Sequence, residues 1–529
     1  MKRSHRILPI LSFCLCLLSG SAQQDQERGK RMKFDILIKG AYVFDGISKD
    51  SSLLDVGIKG DRIVYVGAPR KTHRAKRKID GSGQYLAPGF IDPHTHYKSQ
   101  LGHKTRDERA VLRALKQGVT TVFEGNDGSG PWPIGSTLDD WEQHGIGPNA
   151  ALFVGHNTVR REILGSRDIQ PGPKETQGME GMVERAMREG AFGISTGLFY
   201  TPGNYATIDE VIGLAKVAAA HGGIYDTHQR DEGSQSIGVV ASTEEVLKIA
   251  EAAGIPAHIS HIKVSGPKAW GKSGELIQLI EDARNRGLKV TANQYPYEAS
   301  RTGLSSALVP PWARDGGTKA MRERFKDLVL RDSILKGIAQ NIVARTADPS
   351  KLVLSSGDST LNGKSLLDLS RAWNISPEEA VIRVCAKSLP SVHSFMMKDD
   401  DIENFMVRPW VMTGSDGGSG HPRAFGSFAR KIQKYALDKK VLSMAAAIHS
   451  STYLTAQTLQ IKERGAIQEG FYADLVLFDP KTIRENGSYD NGEVLASGIS
   501  HVLVNGVPVI MDGAWKGTLP GKALRLNAQ

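Results

Sequence analysis

The sequence predicts an α/β protein, with a parallel β/α core and a small β-sandwich built from both chain ends. Three observations carry this. Through the middle of the 529-residue chain, helical patterns alternate with short apolar strands, and glycine repeatedly stops a helix just before a strand. The two ends read instead as alternating, β-branched strands punctuated by glycine. Histidines and aspartates stand at the C-terminal ends of the central strands, where parallel β/α folds place their chemistry. An open doubly wound sheet and a (β/α)8 TIM-like barrel both satisfy this rhythm.

The elements follow in order. "MKRSHR" is basic, "ILPILSFCLCLLSG" is apolar and "SAQQ" offers a small-residue cleavage site after Ala22. That is the layout of a secretory signal peptide over residues 1–22, and it predicts an exported, periplasmic or secreted protein. "FDILIKGAYVFDG" and "DVGIKGDRIVYVG" open the first part of the sandwich, residues 33–85. "TRDERAVLRALKQG" reads as a helix before the strand "VTTVFEGND". "MEGMVERAMREG" leads into "AFGISTGLFY", and "IDEVIGLAKVAAAHGG" into "IYDTHQR". "STEEVLKIAEAAG" reads as a helix opened by a capping box at Ser242 or Thr243 with Glu245, and leads into "IPAHISHIK". With the first strand, ending in "GFIDPHTH", and the third, ending in "VGHN", the runs "LKVTANQYPY", "VHSFMM" and "WVMTGSDGG" complete nine candidate strands for eight barrel positions, so "YPY" or "VHSFMM" belongs outside the barrel. The core spans 86–454, with a helical, charged insertion at about 299–355. "ADLVLFDP" and "SHVLVNGVPVI" lie in the second part of the sandwich, 455–529.

Composition narrows the class. With 40% hydrophobic and 23% charged residues the chain is an ordinary globular protein rather than a disordered one. Beyond the N-terminal run no segment has the length and apolarity of a membrane span. Loss of residues 1–22 removes Cys14 and Cys16 and leaves Cys385, so the mature chain has no internal disulfide. It also removes Lys2, Arg3 and Arg6, taking the formal charge from +10 to +7. The clusters "RGKRMK" and "RKTHRAKRK" lack interleaved aromatics and read as solvated tail and loop, not a nucleic-acid site.

The strand ends carry the chemistry. In "GFIDPHTH", His94 and His96 point the same way from a strand end, because side chains alternate between faces. Two such imidazoles can grip one divalent cation. Asp127 closes the second strand in "EGNDG", His228 the fifth in "DTHQRDE", His261 the sixth in "ISHIK" and Asp416 the last in "MTGSDGG". His258 lies three residues before His261 and faces the other way, so His261 is the ligand and His258 packs. His156, closing the third strand, has no close partner and reads as structural or supporting; Asp226 reads as a hydrogen-bond partner below His228. His421, just past Asp416, is a candidate for the pocket wall.

With these residues in view the chain resembles the metal-dependent amidohydrolase superfamily, and within it the D-aminoacylase (N-acyl-D-amino-acid deacylase) branch. The resemblance runs from about residue 33 to the C-terminus through "LAPGFIDPHTH", "GVTTVFEGND", "THQRDEG", "ISHIKVSG", "YPYEAS", "TGSDG", "HPRAFGSFAR" and "RGAIQEGFYADLVLFDP". It implies a (β/α)8 barrel and zinc, one or two ions. His94, His96 and Asp416 match the ligands of one position; His228 and His261 match two ligands of the other, with Asp127 where the branch carries cysteine. The strand "AFGISTGLFY" has no lysine, against the lysine-bridged sites of other superfamily members. Lys263 and Tyr295 match substrate-contacting positions, and Arg301 stands where a small hydroxyl residue is usual.

The expected reaction is metal-assisted hydrolysis of the amide of an N-acyl-D-amino acid. Asp416 serves as ligand and general base, Tyr295 as oxyanion donor, and Lys263, Arg301 and Arg423 as cations for the substrate carboxylate. Arg301 also suits acidic side chains, such as those of N-acyl-D-glutamate or N-acyl-D-aspartate. Two alternatives stand beside this: an amidohydrolase acting on another linear amide such as an unusual dipeptide, and an inactive exported binding protein. The sequence leaves the oligomeric state open.

Overall fold

A computed structural model describes residues 32–526. The signal-peptide reading lies outside the described residues. Among those residues no helix is long and apolar enough to cross a membrane.

Eight short parallel strands form the barrel. Phe90–Asp92 pairs with Val119–Glu124, which pairs with Asn149–Leu152. After Phe153 the third strand continues as Val154–Gly155 and pairs with Gly193–Gly197. Ile224–His228, Ala257–Ile259, Val290–Gln294 and Val411–Thr413 then follow, each parallel to the one before. A parallel bridge between Thr95 and Gly417 joins the last strand end to the first, and the His96 N–H donates to the Gly417 carbonyl at 2.7 Å. The period of two divides the strand residues between cores. Val122, Leu152, Val154 and Ile194 pack in the large core shared with the helices. Ile91, Phe123, Ala151 and Phe153 pack in a second cluster with Ala456, Leu459, Ile461 and Leu524.

The two chain ends make one nine-stranded sheet. Tyr85–Pro88 is the seam, parallel to Lys33–Val43 and antiparallel to Leu475–Phe478. Ile36, Ile38, Val56 and Leu86 from the N-terminal part share a core with Leu475, Leu477 and Leu503 from the C-terminal part. Each fully buried aliphatic side chain there contributes about 1.5–3 kcal/mol.

Three local expectations need correction. The insertion does not end near 355. Ser391–Phe395 pairs antiparallel with Ala299–Gly303 and Leu352–Ser355, outside the barrel, so "VHSFMM" is a strand of the insertion. Its separate core runs from Leu304 to Val392. The helix in "TRDERAVLRALKQG" breaks into Arg106–Arg109 and Leu112–Leu115, because Val111 takes φ 46° and the Arg109 carbonyl turns to accept from Gly147 N–H. The helix read as starting at Ser242 begins at Val239 instead. Ser242 Oγ accepts from Asp231 N–H and Thr243 Oγ1 donates to the Val239 carbonyl, so neither caps.

Candidate metal centre and active site

Five barrel strands deliver the six candidate ligands to one spot at their C-terminal ends. His94, His96, Asp127 and Asp416 form one group able to hold a cation, and Asp127, His228 and His261 form a second. The family pattern puts Asp127 in the second group alone, whereas its carboxylate stands between both. Oδ1 lies 3.4 Å from His94 Nε2, 3.4 Å from His228 Nδ1 and 3.3 Å from His261 Nε2, while Oδ2 lies 3.4 Å from His96 Nε2. Asp416 Oδ1 lies 3.1 Å from His96 Nε2 and 3.7 Å from His94 Nε2. His94 is fully buried, yet neither ring nitrogen has a hydrogen-bond partner. Buried polar atoms are nearly always satisfied. A divalent ion would satisfy Nε2, the nitrogen that faces both carboxylates, and the histidine–carboxylate donor set suits zinc.

The backbone is strained where the ligands sit. Asp127, His261 and Asp416 have φ of 54°, 35° and 48°, in the left-handed region that non-glycine residues enter at a cost of about 1–3 kcal/mol each. Hydrogen bonds from neighbouring strands hold the ligand loops in place. Asn293 Oδ1 accepts from His261 N–H at 2.9 Å. Asp92 accepts from His94 N–H at 3.2 Å and Ser415 N–H at 3.0 Å, tying the first strand end to the last; burial pushes its carboxyl up to about 7. Glu124 accepts from Tyr97 N–H at 2.6 Å and Lys98 N–H at 3.0 Å, folding the chain back just after His96.

Electrostatics favour a cation. Burial works against charge on His96, but Asp127 and Asp416 outweigh it and carry the imidazole up to about 10. His261 rises to about 9 against burial and Lys263, through Glu232 and Asp127. Burial tends to raise the Asp127 carboxyl, yet His94 and His228 hold it well below the usual range. Protons and a metal ion compete for these imidazole nitrogens, so metal binding is expected to weaken as pH falls.

A cavity opens above the ligands, lined by Tyr200, Glu232, Lys263, Tyr295, Arg301 and Arg345 among others. Glu232 was not singled out from the sequence, although it stands four residues after His228 inside "THQRDEG". Its Oε1 lies 2.9 Å from His261 Nδ1, the ring nitrogen opposite the one that faces Asp127, and it pairs with Lys263, whose Nζ stands 2.8 Å from the same Nδ1. Tyr295 hydroxyl is buried with no partner. Two cations stand near its ring centroid, Lys263 Nζ at 5.5 Å and the Arg423 guanidinium at 4.6 Å. Arg423 Nη1 lies 2.8 Å from Asp416 Oδ2. Against burial, Arg423 and the neighbouring imidazoles keep the Asp416 carboxyl ionised, well below the ordinary carboxylate range. Arg301 turns inward, its Nε 3.3 Å from Ser355 Oγ.

The other histidines lie off the cluster. His258 sits between Thr291 Oγ1 at 2.9 Å and Asn293 Nδ2 at 2.7 Å, and burial pushes it down to about 3, a neutral packing role. His156 faces Glu210 at 2.8 Å. Asp226 accepts from Ser195 and Ser260 hydroxyls, each at 2.7 Å. His421 packs against Tyr297, His393 and Tyr489 beside the cavity.

Comparison with known proteins agrees with this geometry. The model of the amidohydrolase family matches residues 374–509. D-aminoacylase from Alcaligenes xylosoxydans xylosoxydans is 33% identical over 94% of this chain and 98% of its own. N-acyl-D-glutamate deacylase from the same organism is 31% identical over 94% and 97%. A crystal structure of N-acyl-D-glutamate deacylase from Bordetella bronchiseptica, complexed with zinc and a phosphonate mimic of the tetrahedral intermediate, superposes with a TM-score of 0.79. It is 29% identical, over 93% of this chain and all of that one. Likeness at this level, sustained across nearly the whole length, means that the chain belongs to the D-aminoacylase family of amidohydrolases.

Proposed function

We propose that the protein hydrolyses the amide bond of N-acyl-D-amino acids, releasing a carboxylate and a D-amino acid, with zinc held by His94, His96, Asp127, His228, His261 and Asp416. The observation that carries the reading is the setting of Asp416. One of its oxygens lies in the ligand cluster, the other is fixed by Arg423, and the same guanidinium packs on the ring of Tyr295, whose hydroxyl is buried without a partner. Bound zinc would polarise the scissile carbonyl and acidify water. Asp416 takes the proton of the attacking water and returns it to the amine nitrogen as the C–N bond breaks. Tyr295 donates to the oxygen on which negative charge develops. Glu232 and Lys263 together occupy His261 Nδ1 and leave Nε2 to the cluster. Arg301 receives the substrate's α-carboxylate, because Lys263 and Arg423 already have carboxylate partners.

The segment at 1–22 supports export to the periplasm or beyond; N-terminal sequencing of the mature protein tests it, with cleavage expected after Ala22. Activity is tested by amine release from N-acetyl-D-methionine, its L-isomer and a dipeptide. The D-form should react at least about tenfold faster, a difference of about 1.4 kcal/mol in transition-state binding. A chelator should abolish the rate and zinc restore it. Equal rates on both enantiomers, or cleavage of the dipeptide alone, would overturn the assignment.

A further inference from the structure

The two basic clusters "RGKRMK" and "RKTHRAKRK" are well separated in sequence but meet in the fold. The second is not a loop. Arg74–Asp80 is a strand, parallel to Lys33–Val43, which begins where the first cluster ends. Lys33 stands directly opposite Arg74, and the Arg74 N–H donates to the Met32 carbonyl at 3.0 Å. Residues 28–39 and 70–80 hold eleven lysines and arginines against Asp35 and Asp80, a formal +9 of the chain's +10. All other residues together carry +1. Charge gathered so unevenly points to an anionic partner.

Strand periodicity puts these charges on one face. Ile79 turns into the sandwich core, whereas Arg74, Lys76 and Lys78 turn the other way and are exposed. Successive members of that row stand about 6.6 Å apart. Lys33 is exposed on the same face. Among the described residues, the one carboxylate within ion-pair distance of these four cations is Asp35, 2.8 Å from Lys76. Lysine is depleted in strands, and like charges set directly opposite each other weaken a sheet. Charge does guard a strand edge against pairing with other chains. That guard explains neither Lys33 opposite Arg74 nor what lies further along the face. There Tyr42, 44% exposed, pairs across the strands with Leu53, 53% exposed, while Ala41 and Val43 on either side of Tyr42 are in the core. Cations beside an exposed tyrosine and leucine match the layers of a lipid surface, phosphates outside and acyl chains beneath.

We propose that this open face of the sandwich docks the protein on an anionic phospholipid surface, with the cations on the phosphates and Tyr42 and Leu53 at the acyl boundary. Lipid suits the face better than nucleic acid. A duplex is read by a helix or ribbon set into its groove, and a single strand by stacked aromatics. Here the cations lie on an open sheet, and the exposed tyrosine is paired with an aliphatic residue. Docking of this kind needs no deacylase activity, and the export read from residues 1–22 brings the face to the lipids of the cell envelope.

The test is cosedimentation with vesicles of phosphatidylglycerol mixed with phosphatidylcholine, and with vesicles of phosphatidylcholine alone. The protein is the chain from Gln23 onward, which keeps every described residue and lacks the apolar N-terminal run. Each lysine or arginine near an anionic surface is worth about fivefold in partitioning, so the parent should prefer the anionic vesicles by about 100-fold or more at low salt. Most of that preference should vanish near 1 M salt, where screening acts within about 3 Å. Arg74→Gln, Lys76→Gln and Lys78→Gln combined should lose about 100-fold on anionic vesicles. The same change relieves like-charge contact and should not lower the midpoint of chemical unfolding. Lys319→Gln, Lys326→Gln and Lys336→Gln, on exposed residues of the insertion, remove as much charge elsewhere and should cost less than about threefold. Equal loss in the two triple variants reduces the effect to net charge and overturns the proposal. Equal binding to both kinds of vesicle, or to neither, overturns it as well and leaves a solvated edge. Tighter binding to an oligonucleotide than to vesicles, lost in the strand variant, assigns the face to nucleic acid instead. If the strand variant does not fold, Lys78→Gln alone, expected to lose about fivefold, decides together with the parent's preference between vesicles.

Discussion

Asp127 is the ligand on which the whole cluster turns, and its removal should be uneven in effect. Asp127→Ala leaves His94, His96 and Asp416 to the first group but only His228 and His261 to the second. Catalytic zinc sites keep three protein ligands, so the first position survives the change and the second does not. Loss of a supporting partner alone weakens metal binding by about 10–100-fold. Loss of a direct ligand should exceed that, so at least about 2.8 kcal/mol is expected at the second position. The assay is zinc content after dialysis against graded chelator, measured by atomic absorption beside the hydrolysis rate. Asp127→Ala should give up one ion more readily than the parent and lose activity. Asp127→Cys should keep the ion and hold it more tightly, because thiolate is the softer donor. Full metal content and full rate in Asp127→Ala would refute the reasoning and reduce "EGNDG" to a turn.

Two other outcomes follow from the same geometry. Asp416→Asn removes the base while keeping an oxygen toward the cluster, so kcat should fall by about 10²–10⁴-fold with KM changed far less; a matching rise in KM would assign Asp416 to binding instead. Arg301→Ser should raise KM for every N-acyl-D-amino acid by a similar factor, about 10-fold or more for a charged hydrogen bond of about 1.5–3 kcal/mol. A change confined to acidic side chains would move Arg301 to the side-chain end of the cavity.

The barrel and its ligands were legible because their signals are local. A strand fixes which of its residues share a face, so His94 and His96, or His258 against His261, sort themselves over three residues of sequence. Glycines before most of the strands mark the β/α repeat equally locally. What the sequence hid depends on distant partners. Ser391–Phe395 reads as one more barrel strand, and only its pairing with Ala299–Gly303 and Leu352–Ser355 removes it from the barrel. Ser242 has the composition of a cap, but Asp231 claims its hydroxyl and the helix starts earlier. Glu232 could have been found, as a carboxylate four residues after a ligand. Arg345 could not: it lies in the helical insertion, far in sequence from any motif, and its place in the cavity is set by Gln235, Ser300 and Ser394.

The left-handed ligand at His261 exposes how much of the site is held by groups that never touch a metal. Asn293, on the seventh barrel strand, accepts the His261 N–H and also meets His258 Nε2 at 2.7 Å. A Cβ on Gly414 would come within 2.6 Å of Asn293 Oδ1, so glycine there leaves the amide its room. Asn293→Ala strands two buried groups at once, the amide of His261 and the imidazole of His258. One unsatisfied buried group costs about 1–3 kcal/mol, so a loss of about 2–5 kcal/mol in unfolding free energy is expected, before any zinc is added. With its amide released, His261 can relax from φ 35° and turn its ring away from Asp127, so zinc affinity should fall a further 10–100-fold or about that. Asn293→Asp separates the two effects. A carboxylate still accepts the His261 N–H, and it accepts from His258 Nε2 once that ring donates, so metal affinity should stay near that of the parent. Chemical denaturation of the metal-free proteins and zinc titration of each variant measure the two losses independently. If Asn293→Ala is destabilised but binds zinc as the parent does, His261 keeps its strained backbone without Asn293, and the ligand loops rather than the strand beneath them set the geometry of the site.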